Sequence, residues 1–470
     1  MKNLYSDTIV APATTPGTGA ISIVRISGPE AFAVTDKVVK LANRTLADAP
    51  GYTIHFGEVP GLDDVLVSVF RSPHSYTGED SVEISTHASS FIVSELIGLL
   101  IRAGARFAEP GEFTRRAFLN GKLDLAQAEA VADVISSTTA ASHRVAMNQL
   151  KGGFSKELAS LRSQLLEMAS LLELELDFSE EEVEFADREK LLSLIEDTKK
   201  HVDTLAASFR QGNMIKNGVP VAIVGPANAG KSTLLNALLG EERAIVTDIP
   251  GTTRDTIEET LNVKGILFRF IDTAGIRESS DTVEKIGIER TFQKISEAEV
   301  VILLLDATCL ESDLLNNLRL FFQHIGSPVQ KIFIVLNKVD LETEEGVNKN
   351  VTLINNFVLV NKYQANIKEI AARSGKGVNE LKEALFAAER DLIPDVDSTF
   401  VTNVRHLEAL QNASSALSDC HTSLFSGIPS DLVAEDLRRA LSAINAILGT
   451  DLLDPETILH NIFQNHCIGK

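Results

Sequence analysis

VPVAIVGPANAGKSTLLNALLG, from Val219 to Gly240, changes character twice along its length. Val221 to Val224 are uninterrupted apolar residues, which predicts a buried strand. Gly225 then opens a loop with the spacing Gly225-x-x-x-x-Gly230-Lys231-Ser232, and Leu234, Leu235 and Leu238 form the apolar face of a following helix. Glycines let backbone N–H groups curl around phosphate oxygens, and a helix N-terminus adds positive potential. In such a loop Lys231 reaches the terminal phosphates and the Ser232 hydroxyl holds Mg²⁺. A glycine-rich loop alone could be a tight turn. The full motif between strand and helix predicts a phosphate-binding loop.

Working outward, Asp272-Thr273-Ala274-Gly275 follows the apolar run Ile266 to Ile271, which puts a Mg²⁺-linked carboxylate at a strand end and the Gly275 backbone near a γ-phosphate. Asn337-Lys338-Val339-Asp340 follows a second run, Ile332 to Leu336. The Asp340 carboxylate can accept from guanine N1–H and the 2-amino group, a pair that adenine lacks, while Asn337 and the Lys338 stem brace the base. The expected ligand is therefore GTP rather than ATP. Val300 to Leu305 and a weak strand near Ile367 to Ala371 complete an alternation of strands and helices over residues 219 to about 385. That pattern predicts a mostly parallel sheet with nucleotide at the strand C-terminal ends.

The 470 residues suffice for two to four domains. Apolar residues make up 44% and charged residues 23%, as in an ordinary folded protein. A net charge of -21 argues against coating nucleic acid by bulk electrostatics, although a local basic patch or a basic partner could still recruit RNA. Cys309, Cys420 and Cys467 are too few and too scattered for a disulfide framework or a zinc cluster, and fit a reducing cytosol. MKNLYSDTIVAPAT has neither a signal-peptide nor a transit-segment pattern, and no apolar run is long enough to span a membrane. A cytoplasmic location is expected.

Residues 1–120 read as an α+β domain, with strands at Thr8–Val10, Ala20–Ile26 and Asp64–Phe70 and a helix at Phe91–Ile101. Its polar stretches Ser72–Asp80 and Glu109–Arg116 read as loops, open to either a site or a structural role. From Leu123 to about Gln211 the character is helical: Leu158, Leu161, Leu165, Met168 and Leu172 recur at intervals of three and four, as core packing requires. Glu180-Glu181-Glu182 reads as a solvated edge or loop and Met214–Gly218 as a linker. Helical patterning returns from about Ala387 to Gly449, with one stripe on Leu407 and Leu410 and another on Leu437, Leu441, Ile444 and Leu448. The expected organisation has a helical domain of 121–215 and 386–470, with a nucleotide domain of 216–385 inserted into it.

In this order the motifs resemble the MnmE (TrmE) family of tRNA-modification GTPases, almost end to end. The resemblance rests on Asp7-Thr8-Ile9-Val10-Ala11, Arg25-Ile26-Ser27-Gly28, Ser75-Tyr76-Thr77-Gly78-Glu79-Asp80 and Gly111-Glu112-Phe113-Thr114. It continues from Arg116 through Gly121-Lys122-Leu123-Asp124 to Ala130, takes in the nucleotide motifs, and closes on Cys467-Ile468-Gly469-Lys470. It implies a homodimer through an α+β N-terminal tetrahydrofolate-binding domain, a helical-bundle domain and an inserted Ras-like P-loop GTPase domain. With an FAD-containing MnmG (GidA) partner, such proteins add an aminomethyl or carboxymethylaminomethyl group to C5 of the wobble uridine of tRNA. The one-carbon unit comes from 5,10-methylenetetrahydrofolate, of which the 5-formyl form is an analogue, and the FAD sits on the partner. Folate contacts carried over from the family fall on Arg25, Glu83, Lys122 and Lys470. Cys467 is either a low-pKa thiol near the one-carbon carrier or a small packed residue.

For the nucleotide, the resemblance implies contacts from Asn228, Ala229, Gly230, Lys231, Ser232 and Thr233, then Thr247, Asp248, Ile249, Pro250, Gly251, Thr252 and Thr253. Asp272, Thr273, Ala274 and Gly275 follow, with Asn337, Lys338, Asp340, Ala371, Ala372 and Arg373 around the base. Ile276 occupies the position where Ras places its water-orienting glutamine. The family answer is K⁺, held by Asn228, Thr247, Ile249 and Thr252, with Glu284 as general base; from residues alone Glu284 reads as a surface carboxylate. Mg²⁺ would rest on Ser232 and Thr253. The phosphate loop departs from the family in having Ala227 at the usual proline, with Pro226 one place earlier, and no ligand group is lost. Ala371-Ala372-Arg373 replaces Ser-Ala-Lys or Ser-Ala-Arg, so the Ala372 N–H that faces guanine O6 remains while a hydroxyl worth about 1 kcal/mol is missing. Two rivals share part of this pattern: a GTP-regulated assembly or ribosome-associated switch without modification chemistry, and a folate-dependent one-carbon transferase acting without tRNA.

Overall fold

The computed structural model describes residues 7–42, 44–177, 188–240, 259–271, 295–323, 325, 330–393, 399–426, 428–450 and 469. They form two compact units, one built from 1–136, 146–207 and 404–470, the other from 137–145 and 208–403.

The first unit begins with a seven-stranded sheet: β1 (Ile9–Pro12), β2 (Gly19–Ser27), β3 (Lys40–Leu41), β4 (Thr53–Val59), β5 (Asp63–Phe70), β6 (Ser81–Ala88) and β7 (Arg106–Phe107), in spatial order β3-β4-β5-β6-β2-β1-β7. Neighbours are antiparallel except β1 and β7. Alternation decides its two faces. Val24, Ile26, Val65, Val67, Val69, Val82 and Ile84 share one core with Leu96 and Leu100 of α2 (Ser90–Ala103) and Ala31 and Val34 of α1 (Ala31–Val38). The intervening residues form the other face. Register aligns Phe56 with Leu66, Leu66 with Ser85 and Ser85 with Ile23, and in the next row Ile54 with Ser68, Ser68 with Glu83 and Glu83 with Arg25. Ile54, Phe56 and Leu66 are exposed there.

Glu109–Arg116 is not a loop throughout, because α3 (Glu112–Leu119) starts inside it. Glu112 begins that helix by accepting from the Glu109 N–H at 2.8 Å and from Arg116 at 3.0 Å, so a charge-rich segment turns inward instead of lying on the surface. Arg116 and Glu112 are both fully buried, and Glu79 joins the same ionic cluster. The two polar stretches are thus tied together by structure. The helices continue as α4 (Leu125–Ser136), α5 (Ala140–Leu150), α6 (Gly153–Asp177) and α7 (Arg188–Ala207). Leu158, Leu161, Leu165, Met168 and Leu172 are all fully buried on α6, as their spacing requires.

In the second unit, α8 (Phe209–Asn217) runs through the expected linker Met214–Gly218 and stops at Gly218, whose φ is +86°. Gln211, Asn213 and Asn217 obscure that helix by leaving little apolar periodicity, though Ile215 is buried. Then come β8 (Val219–Val224), α9 (Lys231–Leu239), β9 (Glu259–Val263), β10 (Ile266–Phe270), β11 (Val300–Asp306), α10 (Glu311–Gln323), β12 (Lys331–Asn337), α11 (Glu344–Val360), β13 (Asn366–Glu369) and α12 (Val378–Ala388). The sheet order is β13-β12-β11-β8-β10-β9, parallel except for the edge strand β9. Both faces are buried. Val221, Ile223, Val300, Ile302, Phe333 and Val335 point into one core, and Ala222, Val224, Val301, Leu303, Ile334 and Leu336 into the other. That double coverage explains why the strands read as continuous apolar runs.

Back in the first unit, α13 (Val404–Phe425) and α14 (Ser430–Leu448) pack on each other, on α6 and on α7. Helix begins at Val404, later than the patterning from Ala387 suggested. On α13 the buried stripe includes His406 and Leu410, with Leu407 half-buried; on α14 Ala440 is buried and Leu441 half-exposed. No described helix is long and apolar enough to cross a membrane.

Candidate functional site

Four strand ends in the second unit carry the candidate site. Beyond β8 the phosphate loop turns at Gly225, where a Cβ would sit 2.2 Å from the Leu304 carbonyl, so only glycine lets the loop cross β11. Asn228 is exposed at φ +62°, a left-handed conformation that asparagine tolerates better than most residues. Gly230 caps α9 with φ +97°, followed by half-buried Lys231 and Ser232 and exposed Thr233. The Lys231 ammonium folds back over the loop, donating to the carbonyls of Gly225 and Pro226 at 2.9 Å each. Burial lowers its pKa from the ordinary lysine value.

At the end of β12, Asn337 is nearly inaccessible and uses both ends of its amide. Its Nδ2 donates to the Ala229 carbonyl at 2.8 Å, and its Oδ1 accepts from the Ala372 N–H at 3.0 Å. One side chain thereby fastens the phosphate loop to the segment after β13. The N–H expected at guanine O6 is the one that Asn337 accepts from. Without the serine hydroxyl, Ala371-Ala372-Arg373 is still braced: Ala371 N–H donates to Lys376 O at 2.9 Å, and Gly375 N–H to Ala371 O at 2.9 Å. Asp340 is exposed.

Sequence reasoning missed Asp306, which closes β11. Its Oδ2 holds the Lys338 ammonium at 2.5 Å, while Oδ1 accepts from the Thr308 N–H and hydroxyl at 2.9 and 2.8 Å. Burial pushes this carboxyl up, but Lys338 and Thr308 outweigh it and the net shift is downward. An acid at the end of an apolar strand, as at Asp272, was the available signal.

Thr247, Asp248, Ile249, Pro250, Gly251, Thr252, Thr253, Asp272, Thr273, Ala274, Gly275 and Glu284 lie outside the described residues, as do Glu180-Glu181-Glu182, Cys467 and Lys470.

A second constellation lies on the outward face of the first unit's sheet. Arg25 Nε donates to Glu83 Oε1 at 2.9 Å across β2 and β6, and Arg25 Nη1 to the Gly469 carbonyl at 3.2 Å. Its guanidinium lies 5.4 Å from the Tyr76 ring centre and 5.7 Å from that of Phe113. Gly469 fits only as glycine, since a Cβ would meet Pro12 O at 2.0 Å, and its φ is +95°. Lys122 donates to the Pro73 carbonyl at 3.0 Å, and a Cβ on Gly78 would come within 3.3 Å of its stem. The loop Ser72–Asp80 therefore meets Lys122 through Pro73 and Arg25 through Tyr76.

A parallel sheet covered on both faces, a phosphate loop after β8 and an Asn-Lys-x-Asp segment after β12 define a P-loop GTPase domain. The family follows from comparison with known proteins. Residues 8–122 match the model "GTP-binding protein TrmE N-terminus", and 125–467 match "MnmE helical domain". A tRNA modification GTPase MnmE from Bacteroides thetaiotaomicron is 48% identical over 99% of this chain and 100% of that one, and its namesake from Cytophaga hutchinsonii is 47% identical over 99% and 98%. Among solved structures, Aquifex aeolicus Era bound to GDP and aluminium fluoride is 27% identical, covering 42% of this chain and 66% of that chain, with a TM-score of 0.27, a partial likeness. The chain belongs to the MnmE (TrmE) family of tRNA modification GTPases.

Proposed function

We propose that this protein hydrolyses GTP with the help of K⁺ and, with an FAD-containing MnmG-type partner, modifies C5 of the wobble uridine of tRNA. The observation that carries the reading is Asn337, which joins the phosphate loop to the base-side segment and so links triphosphate binding to guanine selection. Loop amides and Lys231 bind phosphates, Ser232 and Thr253 hold Mg²⁺, and Asp340 reads guanine with Asn337, Lys338 and the Ala371-Ala372-Arg373 segment. Thr247 to Thr253 and Asp272 to Gly275 supply further contacts to the nucleotide. K⁺ supplies positive charge where phosphate negative charge builds up. Asn228 fits this role because it stands exposed at the loop's edge, with Thr247, Ile249 and Thr252 as further ligands. Glu284 acts as the general base, through a bridging water.

In this reading residues 1–120 bind tetrahydrofolate and dimerise, 121–215 with 386–470 form the helical domain, and 216–385 form the inserted GTPase domain. Arg25, Glu83, Lys122 and Lys470 bind the folate. The Arg25–Glu83 pair beside Gly469 and two aromatic rings suits a flat heterocycle with a donor edge. The location is cytoplasmic.

The test is GTP turnover in K⁺ and in Na⁺ at matched ionic strength, with Asn228→Ala and Glu284→Ala. We expect strong K⁺ stimulation that Asn228→Ala loses, and hydrolysis abolished but GTP binding kept in Glu284→Ala. Equal rates in the two salts would sink the cation-assisted mechanism.

A further inference from the structure

We propose that Asp306 is a positioning residue for the guanine base, fixing the Lys338 side chain so that its methylene stem forms one wall of the base pocket; this rests on the GTP reading above. Register brings the two together: Asp306 is the β11 partner of Asn337, which directly precedes Lys338. The carboxylate is itself fixed, because Thr308 occupies one oxygen with two hydrogen bonds and leaves the other for the ammonium. The turn that carries it is fixed as well. Ala307 N–H donates to the Asn337 carbonyl at 2.9 Å, and Asn350 Nδ2 to the Ala307 carbonyl at 3.0 Å.

Lys338 stands at φ +63°, which a residue with a side chain rarely adopts. That backbone sets the direction in which its stem leaves, and Asp306 sets where the stem ends. A lysine stem is apolar along its methylenes and can lie against the face of a purine, provided its charged end is held elsewhere. The pair is partly open to solvent, at 30% exposure for Lys338 and 20% for Asp306, so it contributes little to folding stability. Its effect belongs to the pocket.

The test is stopped-flow release of a fluorescent GDP from the full-length protein, comparing wild type, Asp306→Ala, Asp306→Asn, Lys338→Ala and the double Asp306→Ala/Lys338→Ala. We expect release at least tenfold faster in Asp306→Ala and in Lys338→Ala, with the double variant no faster than either single one. The melting temperature of nucleotide-free Asp306→Ala should stay at the wild-type value. Asp306→Asn keeps an acceptor for Thr308 while removing the charge, and carries the test alone if Asp306→Ala fails to fold. Unchanged release in both Asp306 variants, or effects that multiply in the double variant, would overturn the assignment. A wild type that binds ADP as tightly as GDP would instead overturn the guanine reading, and the Asp306 assignment with it.

Discussion

Asn337 shows how much of this nucleotide domain depends on one amide. Replacing it with alanine leaves the Ala229 carbonyl and the Ala372 N–H without their partner in a buried setting, at about 1–3 kcal/mol for each group. Asn337→Ala should therefore lower the melting temperature and weaken GDP binding at least tenfold, as calorimetry would show; wild-type affinity would refute the linking role. Gly230→Ala probes the same junction from the other side. A Cβ there would lie 2.4 Å from Asn337 Nδ2 at a backbone φ of +97°. We expect GDP binding to be lost while far-UV circular dichroism stays that of the wild type, and retained binding would show that the loop can yield. At this scale the sequence was legible wherever chemistry is local. Gly225, Gly230, Lys231 and Asn337 announce themselves by spacing. Asp306 stands at the end of an apolar strand as Asp272 does, but its pairing with Lys338 comes from the register of β11 against β12, which no local window contains. Arg25 and Glu83 were named through the family resemblance, yet that they face each other is again a matter of strand register.

Among elements, periodicity located α6, α13 and α14 correctly but rotated the stripe on α13, where His406 rather than Leu407 enters the core. A histidine belongs there because Glu129 of α4 receives it: His406 Nε2 lies 2.6 Å from Glu129 Oε2 and its ring 5.3 Å from that of Phe154. Arg405 completes the arrangement, bonding Glu129 at 2.9 and 3.0 Å and the Ala446 carbonyl at the end of α14 at 2.6 Å, where a cation also meets the negative end of the helix dipole. Burial alone would raise the Glu129 carboxyl, but His406 and Arg405 outweigh it and bring it down to about 2. An unfolded glutamate titrates near pH 4.3. The folded value is depressed, so this group's contribution is complete above about pH 4.3 and is lost as pH falls towards 2. Urea midpoints at pH 7, 4.5 and 3 test this. Glu129→Gln should cost roughly 3 kcal/mol at pH 7, where the Arg405 guanidinium loses its counter-charge, and should show a shallower fall on acidification than wild type. Parallel acid limbs in the two proteins would remove Glu129 as the cause.

Over the described residues as a whole, the outward face of the first unit's sheet departs from what a solvated surface requires. Open antiparallel sheets ordinarily place polar residues on their free face. Here Phe56 and Leu66 are direct cross-strand neighbours with 62% and 49% exposure, and Ile54 in the adjoining row is 66% exposed. Exposed Glu58 and Asp64, paired across the same two strands, bound the patch with charge, and the Arg25–Glu83 pair lies in the row of Ile54. A contiguous apolar patch rimmed by charge has the make-up of an interface, and it suits the second copy of this chain proposed above as partner. The candidate folate pair would then share a face with the dimer contact. Sequence could not reveal this, since the alternation of β4 sets apolar Ile54 and Phe56 against polar Thr53 and His55 and so reads as if Ile54 and Phe56 faced the core. We predict that light scattering gives wild type twice the 50.9 kDa chain mass, and Phe56→Glu/Leu66→Glu the single mass with an unaltered circular dichroism spectrum. Leu359→Glu, at a 75% exposed position of α11, should remain dimeric as a control. A double variant that stays dimeric would move the contact off this face and separate dimerisation from the folate pair.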